Sequence, residues 1–356
     1  MTQATPEMTS VSTVQAKLLR AKEQLNAVFL QREVPIDLLF TAPLGGTNMY
    51  LGGPPGTGKT HMINTLSKML GLKYGYALMG ADVTPDMFIG GIDLLALQQG
   101  KFTRDLSGGL ADVGIFASDE TFKSNTPALN SMLGILNEKA YRNGKEEIKV
   151  PLQLFVGMSN ELPEDEGLEA FWDRLTLRYW VDYLGRDDRT KLMLRISGNE
   201  PTPEITEHIT EDEIQEMRRE AAGFQLSPSI IDLIQDAYDR IKKEIKVSDR
   251  KFGQIVNLLK FYAYVKGEAQ VKQEHLDLLV WTFWSQLSHI PTITAAVKDV
   301  IGTFVAEQEV IKKEIAAITK VIQTMAKSKS HTPEQMKNLA AQVATLRSIH
   351  EKVNKA

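Results

Sequence analysis

Gly53-Pro54-Pro55-Gly56-Thr57-Gly58-Lys59-Thr60 fits the pattern Gly-x-x-x-x-Gly-Lys-[Ser/Thr] without a mismatch. Asn48-Met49-Tyr50-Leu51 before it reads as a short buried strand. After it, from His61 to Leu70, the apolar residues Met62, Ile63, Leu66, Met69 and Leu70 fall on one side of a helix. Glycines let backbone N–H groups curl around a polyphosphate with no Cβ in the way, and the following helix N-terminus adds partial positive charge. Lys59 is expected to reach the β- and γ-phosphates, and the Thr60 hydroxyl to ligate Mg²⁺. Gly53 through His61 are therefore the expected nucleotide-binding residues. A chance Gly/Pro-rich turn offers no reason for strand, loop and helix to follow in that order. The chain is read as binding a nucleoside triphosphate.

At 356 residues the chain has room for two or three domains of ordinary size. Its 43% hydrophobic and 24% charged content suits a globular protein with a sizeable core. Net charge is −4, from 41 basic and 45 acidic residues, so nothing pulls it globally toward nucleic acid or anionic membrane. With no cysteine, disulfides and thiol catalysis are excluded; a reducing cytosol is the expected setting. Met1 to Thr13 lacks a basic stretch followed by an apolar core, so it is read as poorly ordered rather than as a signal peptide. No apolar run is long enough to span a membrane. The six histidines are scattered without ligand spacing, which argues against zinc.

Val14 to Leu30 reads as a helix capped by Ser12 or Thr13. From Asn48 to about Tyr183 short apolar runs alternate with helical segments, the pattern of a parallel α/β sheet. The further strand candidates are Tyr74–Met79, Val113–Ala117, Leu152–Met158 and Leu177–Tyr183, with a hairpin turning at Asn143-Gly144. From about Ile196 the pattern turns helical: Thr210-x-x-Glu213 is a capping box, and Ser227-Pro228 is a cap with proline at the first helical position. A 4-3 repeat of apolar residues then runs from Val297 to Met325, breaks at Ser328–His331, and resumes from Met336 to Val353. Two antiparallel helices forming a hairpin account for it. The expected organisation is a disordered stretch 1–13, an α/β core 14–195, a helical lid 196–290 and a helical hairpin 291–356.

Val113-Gly114-Ile115-Phe116-Ala117-Ser118-Asp119-Glu120 is an apolar strand ending in two carboxylates. About sixty residues after a glycine-rich phosphate loop, Asp119 is expected to hold the magnesium shell and Glu120 to orient and polarise a water. Phe155 to Asn160 is a second such strand ending in an amide that could place that water; a turn before Leu162-Pro163 would equally use Asn160. Arg174 and Arg178 are four apart, on one face if helical. Either could project into a neighbouring subunit's site, or form a surface ion pair; Arg250 offers the same choice from the lid.

In this order of motifs the chain resembles AAA+ ATPases, and in detail the MoxR family, specifically its RavA branch. Gly90-Gly91-Ile92-Asp93 through Arg104 to Leu110, Ile135 to Gly144, Ser159-Asn160-Glu161-Leu162-Pro163 and Val247-Ser248-Asp249-Arg250 carry the likeness. The resemblance implies a P-loop AAA+ parallel-sheet core with a helical lid, ATP and Mg²⁺ as cofactors, hexameric rings and ATP-driven remodelling. It also implies a partner with a von Willebrand factor A domain. By position Asn160 resembles sensor 1, Arg174 the arginine finger and Arg250 sensor 2, with Arg178 a second candidate for contact in trans. Gly90–Leu110 resembles the helix-2 insert, and Tyr141–Val150 the hairpin before sensor 1. A nucleotide-gated scaffold and a DNA-acting motor remain the alternatives; the lack of a strongly basic stripe counts against the second.

Overall fold

The computed structural model describes residues 11–326 together with Lys337 and Ala341. The chain clusters into two units, Met1–Phe224 with Val247–Gln270, and Gln225–Lys246 with Val271–Ala356. In chain order it begins with α1 (Thr13–Val28), α2 (Glu33–Leu44), β1 (Asn48–Gly52), α3 (Lys59–Met69), β2 (Tyr74–Leu78), α4 (Pro85–Phe88) and α5 (Leu94–Gln98). Then come β3 (Ile115–Asp119), α6 (Thr126–Ser131), α7 (Leu133–Glu138), β4 (Ala140–Asn143), β5 (Glu146–Lys149), β6 (Leu154–Ser159), α8 (Glu169–Arg174) and β7 (Leu175–Trp180). Helices α9 (Arg186–Ile196), α10 (Glu211–Ala222), α11 (Pro228–Ile241), α12 (Asp249–Val265), α13 (Val280–Phe283) and α14 (His289–Ala326) follow.

The first unit is built on a five-stranded sheet in the order β2-β3-β6-β1-β7, every pairing parallel. Its central strands are buried on both faces, which is why they read as continuous apolar runs rather than as alternations. All of β1 and all of β6 are buried. The parallel α/β core expected from the sequence is thus present, with strand ends shifted by at most three residues. The segment expected at Leu177–Tyr183, for instance, pairs over Leu175–Trp180, because the partner β1 fixes Asn48 against Leu175 and Gly52 against Trp180. Parallel order puts every strand's carboxyl end on one edge, where ligands of open α/β sheets bind.

Local signals place the helices. Ser12 Oγ accepts the Gln15 N–H at 3.1 Å and caps α1, whose Leu18, Ala21 and Leu25 are buried. Thr210 and Glu213 close a capping box on α10. Helix α2 has almost no polar side: every residue from Pro35 to Leu44 is buried. Its one buried carboxylate, Asp37, stands 3.0 Å from both Lys22 and Lys266. The antiparallel hairpin β4–β5 is tied to the 90–110 insert, since Asn143 Oδ1 accepts the Arg104 N–H at 2.7 Å and Asn143 Nδ2 donates to the Arg104 carbonyl at 2.9 Å.

In the second unit α11 is capped by Ser227 and buries Ile230, Leu233, Ile234, Ala237 and Ile241. It packs on α14, whose Ile293, Ala296, Val297 and Val300 are buried. Arg240 Nε and Asp299 Oδ2 pair at 2.9 Å along that contact. Of the stretch read as a lid, 196–224 and 247–270 cluster with the sheet unit, and 225–246 and 271–290 with the second. The first arm of the expected hairpin corresponds to α14; the second arm, like the expected disorder over residues 1–10, lies outside the described residues. Among the described residues no helix is long and apolar enough to cross a membrane.

Candidate nucleotide site

The phosphate loop leaves β1 at the carboxyl edge of the sheet. Gly53 donates its N–H to the Ser159 carbonyl at 3.1 Å and holds φ at +132°. A Cβ there would stand 2.1 Å from the Val181 carbonyl oxygen, so only glycine lets the loop start this close to the exit of β7. Gly56 and Gly58 are also left-handed, at φ +76° and +83°, and open space lies where their Cβ atoms would be. Pro54, Pro55 and Thr57 complete the turn, and Thr57 Oγ1 donates to the Pro54 carbonyl at 3.0 Å. Lys59 arches back over it, its Nζ donating to the carbonyls of Gly53 (2.7 Å) and Pro54 (3.0 Å). Burial lowers the pKa of this ammonium and nearby Arg32 acts in the same sense, while Asp119 and Glu120 oppose them. An open cradle of left-handed glycines, with a lysine inside it, fits a polyphosphate.

Two carboxylates meet the loop from β3. Asp119 Oδ1 accepts the Glu120 N–H at 3.0 Å, and Asp119 Oδ2 lies 3.5 Å from Thr60 Oγ1. A hydroxyl and a carboxylate oxygen at that long separation, beside the loop, are the hard oxygen donors that magnesium takes. Tyr76 of the edge strand β2 donates its hydroxyl to the same Oδ2 at 3.2 Å. Glu120 adopts φ +52°, uncommon for a residue with a Cβ, and its Oε2 is 3.1 Å from Lys123 Nζ. Asn160 is exposed and directly follows Ser159, whose carbonyl receives the loop's first N–H. Thr60, Asp119, Glu120 and Asn160 are thus gathered at one edge.

The arginines stand elsewhere. Arg174 ends α8 at the amino edge of the sheet, level with Asn48, whereas the phosphate loop begins beyond Gly52. Five residues of strand at about 3.3 Å each separate those edges by roughly 16 Å. Arg174 Nε donates to Asn137 Oδ1 at 2.7 Å and Nη1 to the Ala170 carbonyl at 3.2 Å. Asp173 Oδ2 lies 3.8 Å from Arg174 Nη1 and 3.9 Å from Arg250 Nη1. Arg174 and the half-exposed Arg250 therefore share one carboxylate, remote from their own chain's loop.

Arg178 corrects the sequence reading. The helix stops at Arg174, so the spacing of four does not place the two arginines on one helical face; Arg178 lies on β7, within the expected strand Leu177–Tyr183. It is only 2% exposed; its Nε donates to the Leu175 carbonyl (2.8 Å), its Nη2 to the Trp172 carbonyl (2.7 Å), and it stacks 4.0 Å over the Trp172 ring. Burial brings its pKa down to about 9. A guanidinium so enclosed and bonded within its own chain is not presented at the surface for contact in trans.

A family model described as the MoxR domain in MoxR-vWA-beta-propeller ternary systems matches residues 16–219. The chain belongs to the MoxR family of AAA+ ATPases. A second family model, the AAA lid domain, matches residues 229–297 of this MoxR-family chain. An uncharacterised protein of Methanocaldococcus jannaschii is 31% identical over 307 residues, covering 86% of this chain and 80% of its own. Protein MoxR of Paracoccus denitrificans is 25% identical over 214 residues, 56% of this chain and 60% of that one. A crystal structure from Cytophaga hutchinsonii, assigned as a candidate ATPase, shares the fold at a TM-score of 0.65 and 18% identity, covering 81% of this chain and 94% of its own.

This MoxR-family site has a wall that sequence reasoning missed. Beside Gly56, Thr57 and Gly58 lies a cavity of about 510 Å³. Its sides include the Phe29 and His61 rings, 5.1 Å apart, Arg32, and Leu192 and Ile196 of α9. Arg32 Nη2 donates to the Asp182 carbonyl at 2.9 Å, and Gln31 Oε1 accepts the Gly185 N–H at 2.9 Å. The α1–α2 connection and the start of α9 are thereby tied together. One signal could have found it: Leu192, Met193 and Ile196 are large apolar residues on a helix that buries none of its own residues. An apolar-walled slot adjoining a phosphate loop is suited to a nucleobase.

Proposed function

We propose that this MoxR-family protein hydrolyses ATP to ADP and phosphate at a seam between adjacent copies of the chain, and spends the turnover on remodelling a protein client. One observation carries the seam: Arg174 and Arg250 share Asp173 at the amino edge of a sheet whose phosphate loop opens at the other. An arginine side chain cannot bridge roughly 16 Å of strand, so these cations serve a neighbour's nucleotide. Gly53 to Thr60 and His61 hold the triphosphate and the start of the sugar–base slot, with Lys59 released from the loop carbonyls onto phosphate oxygens. Thr60 and Asp119 would hold the magnesium, which when bound would supply positive charge against the triphosphate. Glu120 takes a proton from the attacking water and Asn160 orients that water. Arg174 in trans balances the charge that spreads over the transferring phosphoryl group, and Arg250 contacts the same phosphates.

A closed ring, hexameric in this reading, lets every site receive its arginines from the next subunit. The core, a helical lid and a helical hairpin are its proposed parts. Resemblance to the RavA branch, and the vWA and beta-propeller components in the matched family's description, support a partner with a von Willebrand factor A domain.

The test is Glu120→Gln. It is expected to bind ATP with unchanged affinity while phosphate release falls to background, and to trap client and partner for pull-down. Continued release would remove Glu120 from its role. Slow wild-type hydrolysis, indifferent to any client yet with ATP-driven assembly, would favour a nucleotide-gated scaffold.

A further inference from the structure

We infer that Tyr76 is a positioning residue for the magnesium site: its hydroxyl sets the plane of the Asp119 carboxylate. This rests on the proposed magnesium-bound nucleotide site. A lone aspartate carboxylate turns easily, because its final torsion is broad and nearly two-fold. Here three donors address it. The Glu120 N–H fixes Oδ1 at 3.0 Å, Thr60 Oγ1 approaches Oδ2 at 3.5 Å, and the Tyr76 hydroxyl donates to Oδ2 at 3.2 Å.

Thr60 is a proposed metal ligand, so its hydroxyl proton is not an independent anchor once a cation is shared between Thr60 and Asp119. That leaves the backbone of Glu120 on one oxygen and the phenol of Tyr76 on the other. β2 pairs with β3 in register, Tyr76 against Ala117 and Leu78 against Asp119, which carries the ring alongside the end of β3. Tyr76 is 47% exposed as a residue, so it adds little to the core, and its hydroxyl nevertheless faces a carboxylate rather than open solvent. Hydrogen-bond partners behind metal ligands orient them, and their loss typically lowers metal affinity or activity by about 10- to 100-fold.

The experiment is a magnesium titration of fluorescent ATP-analogue binding, in the Glu120→Gln background so that nothing turns over. Tyr76→Phe removes one oxygen and keeps the ring. It is expected to raise the magnesium concentration for half-maximal tightening by about tenfold, and to leave magnesium-free nucleotide binding unchanged. In an Asp119→Asn background the same substitution is expected to add nothing, since the two act as one unit. An unmoved magnesium midpoint, or an undiminished added effect on Asp119→Asn, overturns the assignment. If magnesium fails to tighten binding to the Tyr76-containing protein, or Asp119→Asn is silent, the site reading fails first and this inference falls with it.

Discussion

Gly53→Ala should damage both the fold and the site, and the structure indicates how much. The new Cβ would lie 2.1 Å from the Val181 carbonyl oxygen, 3.0 Å from its carbon and 3.1 Å from the Val181 nitrogen. Those atoms are backbone, and the Val181 N–H donates to the Gly52 carbonyl at 2.8 Å, so relief requires parting β7 from β1 at its exit. Losing that hydrogen bond costs about 1 kcal/mol. Forcing alanine to φ +132° adds about 1–3 kcal/mol, for a total of about 2–4 kcal/mol. At about 2–4 °C per kcal/mol in a unit of this size, melting should fall by at least about 4 °C. Gly56→Ala is the control: its φ of +76° is also left-handed, but nothing lies within 4 Å of the added carbon. It should cost about 1–2 kcal/mol and leave the β1–β7 exit in place. Thermal unfolding and fluorescent-nucleotide binding, measured on both, decide the matter. Gly53→Ala that melts with the unsubstituted protein and binds ATP equally would refute the close approach of loop to β7.

Two further outcomes concern enclosed cations, Lys139 partly buried and Arg178 fully so. Burial brings the Lys139 ammonium down to about 8 from 10.5, with Arg218 acting the same way. Between those values the unfolded chain holds a proton that the folded one has shed, so stability rises with pH across about 8 to 10.5. Below pH 8 the charged amine costs about 3 kcal/mol. Lys139→Met should therefore be more stable at pH 7 and flatten that rise in urea unfolding; lower stability with an unchanged slope would contradict it. Arg178→Met deprives the Leu175 and Trp172 carbonyls of donors, each costing about 1–3 kcal/mol. It should melt lower yet keep its hydrolysis per folded molecule, whereas a turnover defect at unchanged melting would restore Arg178 to the site.

The nucleotide-binding edge was legible because its signals are local. Glycine spacing, the apolar strands ahead of Asp119 and Asn160, and the caps at Ser12, Thr210 and Ser227 each depend on a few consecutive residues. Helix α2 escaped because a helix buried on nearly all sides shows no 3.6-residue alternation, and Pro35 and Pro43 argue against it. The apolar slot beside the loop escaped because its walls meet through Gln31 and Gly185, 154 positions apart. Arg178 was misread as a candidate for contact in trans, although the strand candidate Leu177–Tyr183 contained it, because burial of both faces of β7 from Leu175 to Arg178 depends on distant neighbours such as β1. The sharing of Asp173 by Arg174 and Arg250 likewise joins elements 75 positions apart, as the Ser248–Asp173 hydrogen bond marks.

A site divided between neighbours can be rebuilt from two broken halves. Lys59→Ala removes the proposed phosphate lysine and keeps Arg174; Arg174→Ala does the reverse, and each alone should lose turnover, the arginine substitution by about 10³-fold. Mixed in equal amounts, the two should regain a measurable fraction of hydrolysis, because some seams then pair an intact loop with an intact arginine. Phosphate release from the mixture that stays at the level of the separate variants, while both still assemble with ATP-bound partners, would contradict a shared site.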